Sequence, residues 1–214
     1  MSLDGFVAGA NQSVESPLGE GGEGLHEWAV GLEAFRRPHG MEGGDVDAST
    51  SVLEERDDAG ATIMGRNMFG GGPGPWGDKA WEGWWGDDPP FQHPVFVLTH
   101  HPREPLVKAG GTTFTFVTDG IESALAQARE AASGRDVLLG GGADAARQYL
   151  AAGLLDEVLL HVVPLLLHDG ERLFDGLRGA GVRLEQADAI PAPGVTHLRY
   201  RVRREGAGDP ARSN

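Results

Sequence analysis

VLLGGGADAARQYL, residues 137–150, sets an apolar run against three consecutive glycines and follows them at once with a segment of helical spacing. Glycine permits backbone angles that other residues resist, and it lets another molecule approach the main chain closely. A helix that starts there presents free N–H groups and the positive end of its dipole, which suits a phosphate. A lone glycine would read as a tight turn. Gly140, Gly141 and Gly142 together leave a turn and a phosphate cradle both open.

The surrounding chain supplies the fold class. Residues 61–65 (ATIMG), 94–99 (PVFVLT), 113–117 (TFTFV), 136–139 (DVLL) and 155–163 (LDEVLLHVV) read as strands. Residues 47–58 fit a helix capped by Asp47 or Ser49. Residues 120–133 fit an amphipathic helix with Ile121, Leu125, Ala128 and Ala132 on one face, and 143–153 fit another. RNMF, after ATIMG, fits a short helical turn. Strands alternating with helices predict an α/β fold with a mainly parallel sheet. VRLEQADAI and THLRYRVRR have no helix between them, so they predict an antiparallel strand pair at an edge of that sheet. In the second of these, Leu198, Tyr200 and Val202 alternate with His197, Arg199, Arg201 and Arg203, the pattern of a half-exposed strand. SLDGFVA reads as a short first strand, 10–46 as an irregular excursion with a short helix around His26–Phe35, and 70–93 as a long loop with four Trp. Those rings suit a lid over a flat ligand, a cover for core edges, or a dimer contact. Residues 1–205 read as one domain and 206–214 as a disordered tail.

Composition narrows the partners. The formal charge of −14 opposes nonspecific nucleic-acid binding. No apolar stretch is long enough for a membrane span, and MSLDGFVAG lacks the segments of a signal peptide. The absence of Cys excludes disulfides and thiolate metal sites. A cytoplasmic protein is expected. HExxH and GxSxG are absent, and the adjacent His100 and His101 would diverge, so neither metal nor serine-hydrolase chemistry is expected.

Familiar nucleotide motifs fit poorly. Gly140 to Ala145 satisfies only the loose form GxGxxA, and the next strand ends in HVVPLLL with no acid for a ribose. GPGPWGDKA is not a P-loop, because Lys79 is displaced by one and Ala80 stands where Ser or Thr is required. Other strand ends carry phosphate-compatible groups: Gly65 and Arg66 after ATIMG, and Thr99, His100, His101 and Arg103 after PVFVL. Asp144 complicates the glycine segment, since a carboxylate beside a phosphate would repel it unless the side chain turns away.

SLDGFVAG, IMGRNMF, PVFVLTHHPR, VLLGGGADAARQYLAAGLLDEVLLHVVPLLLHDGERLF and the terminal strand pair, in that order, resemble the dihydrofolate reductase-like superfamily. The resemblance spans roughly residues 2–204 and is nearer to the reductase domain of riboflavin biosynthesis than to dihydrofolate reductase itself. It implies NADPH-dependent hydride transfer to a pterin-like, pyrimidine-like or ribosylamino substrate. Carried over, Gly65, Arg66 and Asn67 meet the adenylate-side phosphates, and Thr99, His100 and Arg103 the 2′-phosphate. Gly140, Gly141, Gly142 and Ala143 cradle the pyrophosphate, Val7 and Ala8 line the nicotinamide pocket, and Asp4 sits near the substrate as the candidate proton donor. A homodimer is expected, with VLLHVVPLLL apolar enough for a subunit interface.

This sequence departs from the family pattern at three points. The apolar residues that precede SLDG in the family are missing, so either the start is internal or the first strand is cut short. Asp144 stands where a neutral residue is usual. The folate-type catalytic carboxylate has no clear match among Glu42, Asp45, Asp47, Glu54, Glu55, Asp57 and Asp58, which disfavours folate reduction and leaves water or Asp4 to supply the proton. A non-catalytic nucleotide-binding or structural dimeric protein of the same fold is the alternative.

Overall fold

The computed structural model describes residues 1–77 and 81–204. In chain order it runs β1 (Phe6–Ala8), α1 (Glu27–Val30), α2 (Glu33–Arg36), α3 (Ala48–Asp57), β2 (Ala61–Gly65), α4 (Arg66–Phe69), β3 (Pro94–Leu98), β4 (Leu106–Val107) and β5 (Thr113–Val117). It continues with α5 (Ile121–Ala132), β6 (Val137–Gly141), α6 (Ala143–Ala152), β7 (Glu157–Val162), β8 (Glu171–Arg172), β9 (Val182–Ala192) and β10 (Val195–Arg204). The tail expected to be disordered, 206–214, and Lys79 lie outside the described residues.

Five strands form one sheet in the order β4-β5-β3-β2-β6. β2, β3, β5 and β6 are parallel, and β4 pairs antiparallel at the edge. Both faces are covered, which is why β2 and β3 read as near-continuous apolar runs, while β5 alternates Thr with Phe. One face, with Ala61, Ile63, Phe96 and Val117, packs on Leu125, Ala128 and Ala132 of α5 and on Tyr149 of α6. This is the face of α5 that its spacing predicts.

The other face, with Met64, Val95, Val97, Phe114 and Phe116, is covered by Phe69 and by the Trp-rich loop, not by a long helix. Of the three uses open to those rings, covering the core is the one observed. Each of three indole N–H groups donates to a main-chain carbonyl: Trp76 to His101 at 3.0 Å, Trp81 to Phe69 at 2.8 Å and Trp84 to Met68 at 3.0 Å. Buried apolar area and a satisfied polar handle thus hold the loop together. Gly70 and Gly71 make this possible. Both have positive φ, and an added Cβ would stand 2.6 Å from the Trp84 ring at Gly70 and 2.6 Å from the Trp81 side chain at Gly71.

The terminal hairpin forms as expected, but not on the edge of the parallel sheet. β7, β10 and β9 make a separate antiparallel sheet with β10 in the middle. β1 pairs only with β8, while Ser2 bridges Val163 in parallel, so the first strand is short and stands in neither larger sheet.

The phase of β10 also differs from its pattern. His197, on the polar phase, is 1% exposed, whereas Leu198, Tyr200 and Val202 are half-buried. The start of this phase, Val195 and His197, is covered, while Arg201 and Arg203 further along are exposed. The His197 ring is satisfied there by Ser49 of α3 at 3.0 Å and by His161 of β7 at 2.7 Å, with Trp28 against both imidazoles. Ser49 is therefore not the cap of α3. Asp47 is, accepting the Ser49 N–H at 2.7 Å. The helix expected around His26–Phe35 is two short ones, α1 and α2, separated at Gly31 and Leu32.

Candidate active site

The connection from β2 leads to β3 and then β5 on one side, whereas β6 lies on the other side of β2. Chain order thus reverses at β2 and β6, and in open α/β sheets ligands settle outside the carboxyl ends of the strands at such a point. Glycines stand on both sides of it. Met64 pairs with Gly141, and a Cβ on Gly65 would lie 3.6 Å from the Gly142 nitrogen. β6 extends past its expected end at Leu139, so Gly140 and Gly141 belong to the strand and Gly142 caps α6.

The three glycines have different surroundings. A Cβ on Gly140 would meet the Met68 methyl at 3.3 Å, so this glycine packs. Gly141 has φ +136°, and its peptide bond to Gly142 is cis. Gly142 has φ −72°, and a Cβ there would meet nothing within 4 Å. Open space therefore lies in front of Gly142, beside Ala143 and the start of a ten-residue helix that no side chain caps. Asp144 does not fill that space. Its carboxylate accepts from Gln148 at 2.7 Å and lies 3.8 Å from Arg147, along the helix.

Arg66 leaves the end of β2 and folds back on its own loop. Its Nε donates to the Gly70 carbonyl at 3.1 Å and Nη2 to the Gly71 carbonyl at 3.3 Å. The guanidinium carbon lies 3.2 Å from the centroid of the Trp76 ring. Among the described residues, Nη1 is buried with no hydrogen-bond partner. Arg103 approaches the same indole at 4.9 Å and Phe116 at 5.0 Å, and donates to the Trp81 carbonyl. Burial, and then the Arg103 charge, pull the Arg66 pKa below the usual arginine range. Burial does the same to Arg103, with Glu82 opposing it. An unsatisfied buried donor costs about 1–3 kcal/mol, and more when charged, so this pair favours an anion.

The other expected cofactor residues are placed as follows. Asn67 and His100 are exposed. Thr99 is buried, and its hydroxyl accepts the His101 N–H at 3.2 Å, which shapes the turn leading to Arg103. Val7 and Ala8 lie in β1. Arg147 of α6 donates to the Arg172 carbonyl at 2.6 Å and pairs with Glu171 at 2.7 Å, tying the β1–β8 pair to the helix behind Gly142.

Asp4 accepts from Ser2 Oγ at 2.6 Å and from the N–H groups of Leu167 at 3.2 Å and His168 at 2.8 Å. The Ser2 hydrogen bond foremost, with the two backbone donors, holds its pKa down to about 2. These hydrogen bonds tie Asp4 to the 165–168 segment. Among the other carboxylates, Glu54 pairs with Arg37, Glu55 with Arg199, and Asp47 caps α3. Sequence reasoning missed the seat of Trp76 on Arg66 and the clamp made by Arg147. Neither has a local signal, because each contact is set by how distant segments dock.

No curated protein matches this sequence. Among solved structures, the chain is similar to a putative riboflavin biosynthesis protein from Shewanella sp. PV-4. That match has 22% identity, covers 95% of this chain and 96% of that one, and has a TM-score of 0.60. It is similar to a diaminohydroxyphosphoribosylaminopyrimidine deaminase/5-amino-6-(5-phosphoribosylamino)uracil reductase from Thermotoga maritima, with 14% identity, 94% and 54% coverage and a TM-score of 0.54. It is also similar to Acinetobacter baumannii RibD, with 18% identity, 95% and 56% coverage and a TM-score of 0.55. The chain thus spans about half the length of the latter two, and at these identities the likeness is one of fold. Residues 1–195 match the family described as the RibD C-terminal domain, and the chain belongs to that family.

Proposed function

We propose that the protein is an NADPH-dependent reductase that transfers a hydride to a small pyrimidine-like or pterin-like heterocycle, ribosylaminopyrimidines first among them. The observation that carries this reading is the buried, unpartnered Nη1 of Arg66, next in the chain to the Gly65–Gly142 crevice. An anionic dinucleotide fits these residues: one nitrogen of the guanidinium, Nη1, lacks an acceptor, and the space before Gly142 would be filled by any side chain there. The cofactor, when bound, supplies the hydride, and the chain supplies alignment and exclusion of water.

Gly65, Gly142 and the free N–H groups from Ala143 onward receive the pyrophosphate, while Gly140 and Gly141 bring the strand end to it. Arg66, with Asn67, meets the adenylate-side phosphates, and Arg103, with Thr99 and His100, meets the 2′-phosphate. Val7 and Ala8 wall the nicotinamide. Asp4, held ionised, fixes the 165–168 segment, and water delivers the proton. The proposal extends to a cytoplasmic homodimer formed through the half-buried apolar face of Val158, Leu160, Leu198 and Tyr200. Leu198→Arg then gives a monomer in analytical ultracentrifugation, and an unchanged sedimentation coefficient rejects that interface.

The test is a titration with NADPH and NADH, followed by NADPH oxidation in the presence of ribosylaminopyrimidines. NADPH binding at least about tenfold tighter than NADH, as a charge-assisted phosphate contact provides, supports the assignment. A folded protein that binds neither nucleotide rejects it.

A further inference from the structure

A cavity of about 540 Å³ opens where α1, the segment after β7 and the β9–β10 turn meet, and no role has been given to it above. Its size is that of a small-molecule site. One wall is Trp28, and Val163, Pro164 and Leu165 supply apolar surface. A Cβ on Gly24 would stand 3.0 Å from Leu165, so glycine allows that approach.

Trp28 is fixed before any ligand arrives. Its Nε1 donates to the Leu25 carbonyl at 3.1 Å. Its ring rests on His161 at 5.1 Å and His197 at 5.0 Å, which are themselves hydrogen-bonded at 2.7 Å. A rigid indole that lines a cavity is a stacking platform for a flat ring. Among the described residues, the charged side chains lining this cavity are Glu23 and Glu27, both exposed, and no Lys, Arg or His lines it.

Resting on the reductase reading, we propose that this cavity seats the heterocycle and selects an unphosphorylated ring bearing exocyclic amino groups. The ring stacks on Trp28, and the carboxylates of Glu23 and Glu27 accept from the amino donors. A phosphate on the substrate would bring nearly two further negative charges to a lining that has carboxylates and no cation. The Thermotoga protein is named for a phosphoribosylamino substrate. The lining here points to its unphosphorylated counterpart.

The test is calorimetric titration with cytidine, uridine and cytidine 5′-monophosphate. The first pair differs by an exocyclic amino group, and cytidine differs from its monophosphate by the phosphate alone. Each titration is repeated on Arg66→Met protein, so that phosphate binding at that arginine does not mask the result. Cytidine should bind about tenfold more tightly than uridine, and at least about tenfold more tightly than its monophosphate. Glu23→Gln and Glu27→Gln, both surface changes, should each weaken cytidine severalfold, and the double variant should remove the penalty on the monophosphate. The proposal is overturned if cytidine does not bind, if the monophosphate binds as well in Arg66→Met protein, or if the glutamine variants leave cytidine affinity unchanged. NADPH binding is measured on the same preparation. NADPH binding without nucleoside binding rejects this inference alone. Loss of NADPH binding with the cytidine preference intact rejects the reductase reading and leaves the cavity assignment standing.

Discussion

Gly142→Ala separates a cofactor cradle from a packing glycine. Residue 142 has φ −72° and ψ −173°, extended backbone that alanine adopts without strain. The added methyl meets nothing within 4 Å. A compatible Gly→Ala change stabilises by about 0.4–1 kcal/mol, through the lost freedom of the unfolded chain. For a chain of this size that raises Tm by about 1–4 °C. The same methyl occupies the space a phosphate needs to reach the first N–H groups of α6. Loss of one charge-assisted hydrogen bond costs about 1.5–3 kcal/mol, so NADPH affinity should fall about 10- to 150-fold. The assay pairs a thermal melt with an NADPH titration. Gly141→Ala is the contrast, because φ +136° strains alanine by about 1–3 kcal/mol and should lower Tm. A Gly142→Ala protein that binds NADPH like the parent refutes the cradle, and one that melts earlier refutes the open space.

Arg66→Met should weaken NADPH and NADH alike, each by at least about tenfold, because the adenylate-side phosphates are common to both, and Arg66→Lys should not restore binding, because lysine lacks the planar fork. A loss confined to NADPH would move Arg66 to the 2′-phosphate and overturn its assignment. Stability should fall on acidification below about pH 6.5, seen as a declining urea midpoint. Burial holds folded His197 and His93 below their ordinary 6.5, so the unfolded chain takes up protons that the folded chain refuses. Their contribution is complete above 6.5 and is lost as pH drops through the folded values. Asp4 adds a lower window, with stability present above its ordinary 3.8 and lost as pH falls toward about 2. His197→Gln should flatten the upper window, and an unchanged profile would remove the histidine pair as its source. Asp4→Asn should lower Tm and leave kcat within about tenfold, whereas loss of a general acid would cost about 10²–10⁴.

The parallel strands and the helices α5 and α6 were legible because their periodicity is local. An unbroken apolar run already states that both faces are covered, and Leu125, Ala128 and Ala132 mark the buried side of α5. What failed to show was set across the chain. His197 looks polar and exposed, yet it is buried because Ser49, 148 residues away, meets its ring. The same contact removes Ser49 as a cap, a role its position otherwise permits. Gly140 and Gly142 are identical letters, and the neighbours Met68 and Thr62 make one a packing residue and leave the other open. The hydrogen bonding of Asp4 was not legible either, because its two backbone partners lie beyond residue 165. The Trp-rich loop has no period at all, so its role as a layer of the core was one of three that it fitted.

That loop has a consequence for how the chain reaches its native state. A helix between two strands can form early from its own contacts. The loop has no such internal pattern, and its rings find their seats only after β3 and β5 have paired and presented Val95, Val97, Phe114 and Phe116. The far side of the sheet is therefore the last surface to close. Until it closes, an aromatic and aliphatic patch faces solvent, the kind of transient surface through which partly folded chains associate. Dilution, cooling or a holding chaperone should raise refolding yield more than any change to the helical face, and the late step should carry the indole emission change with it.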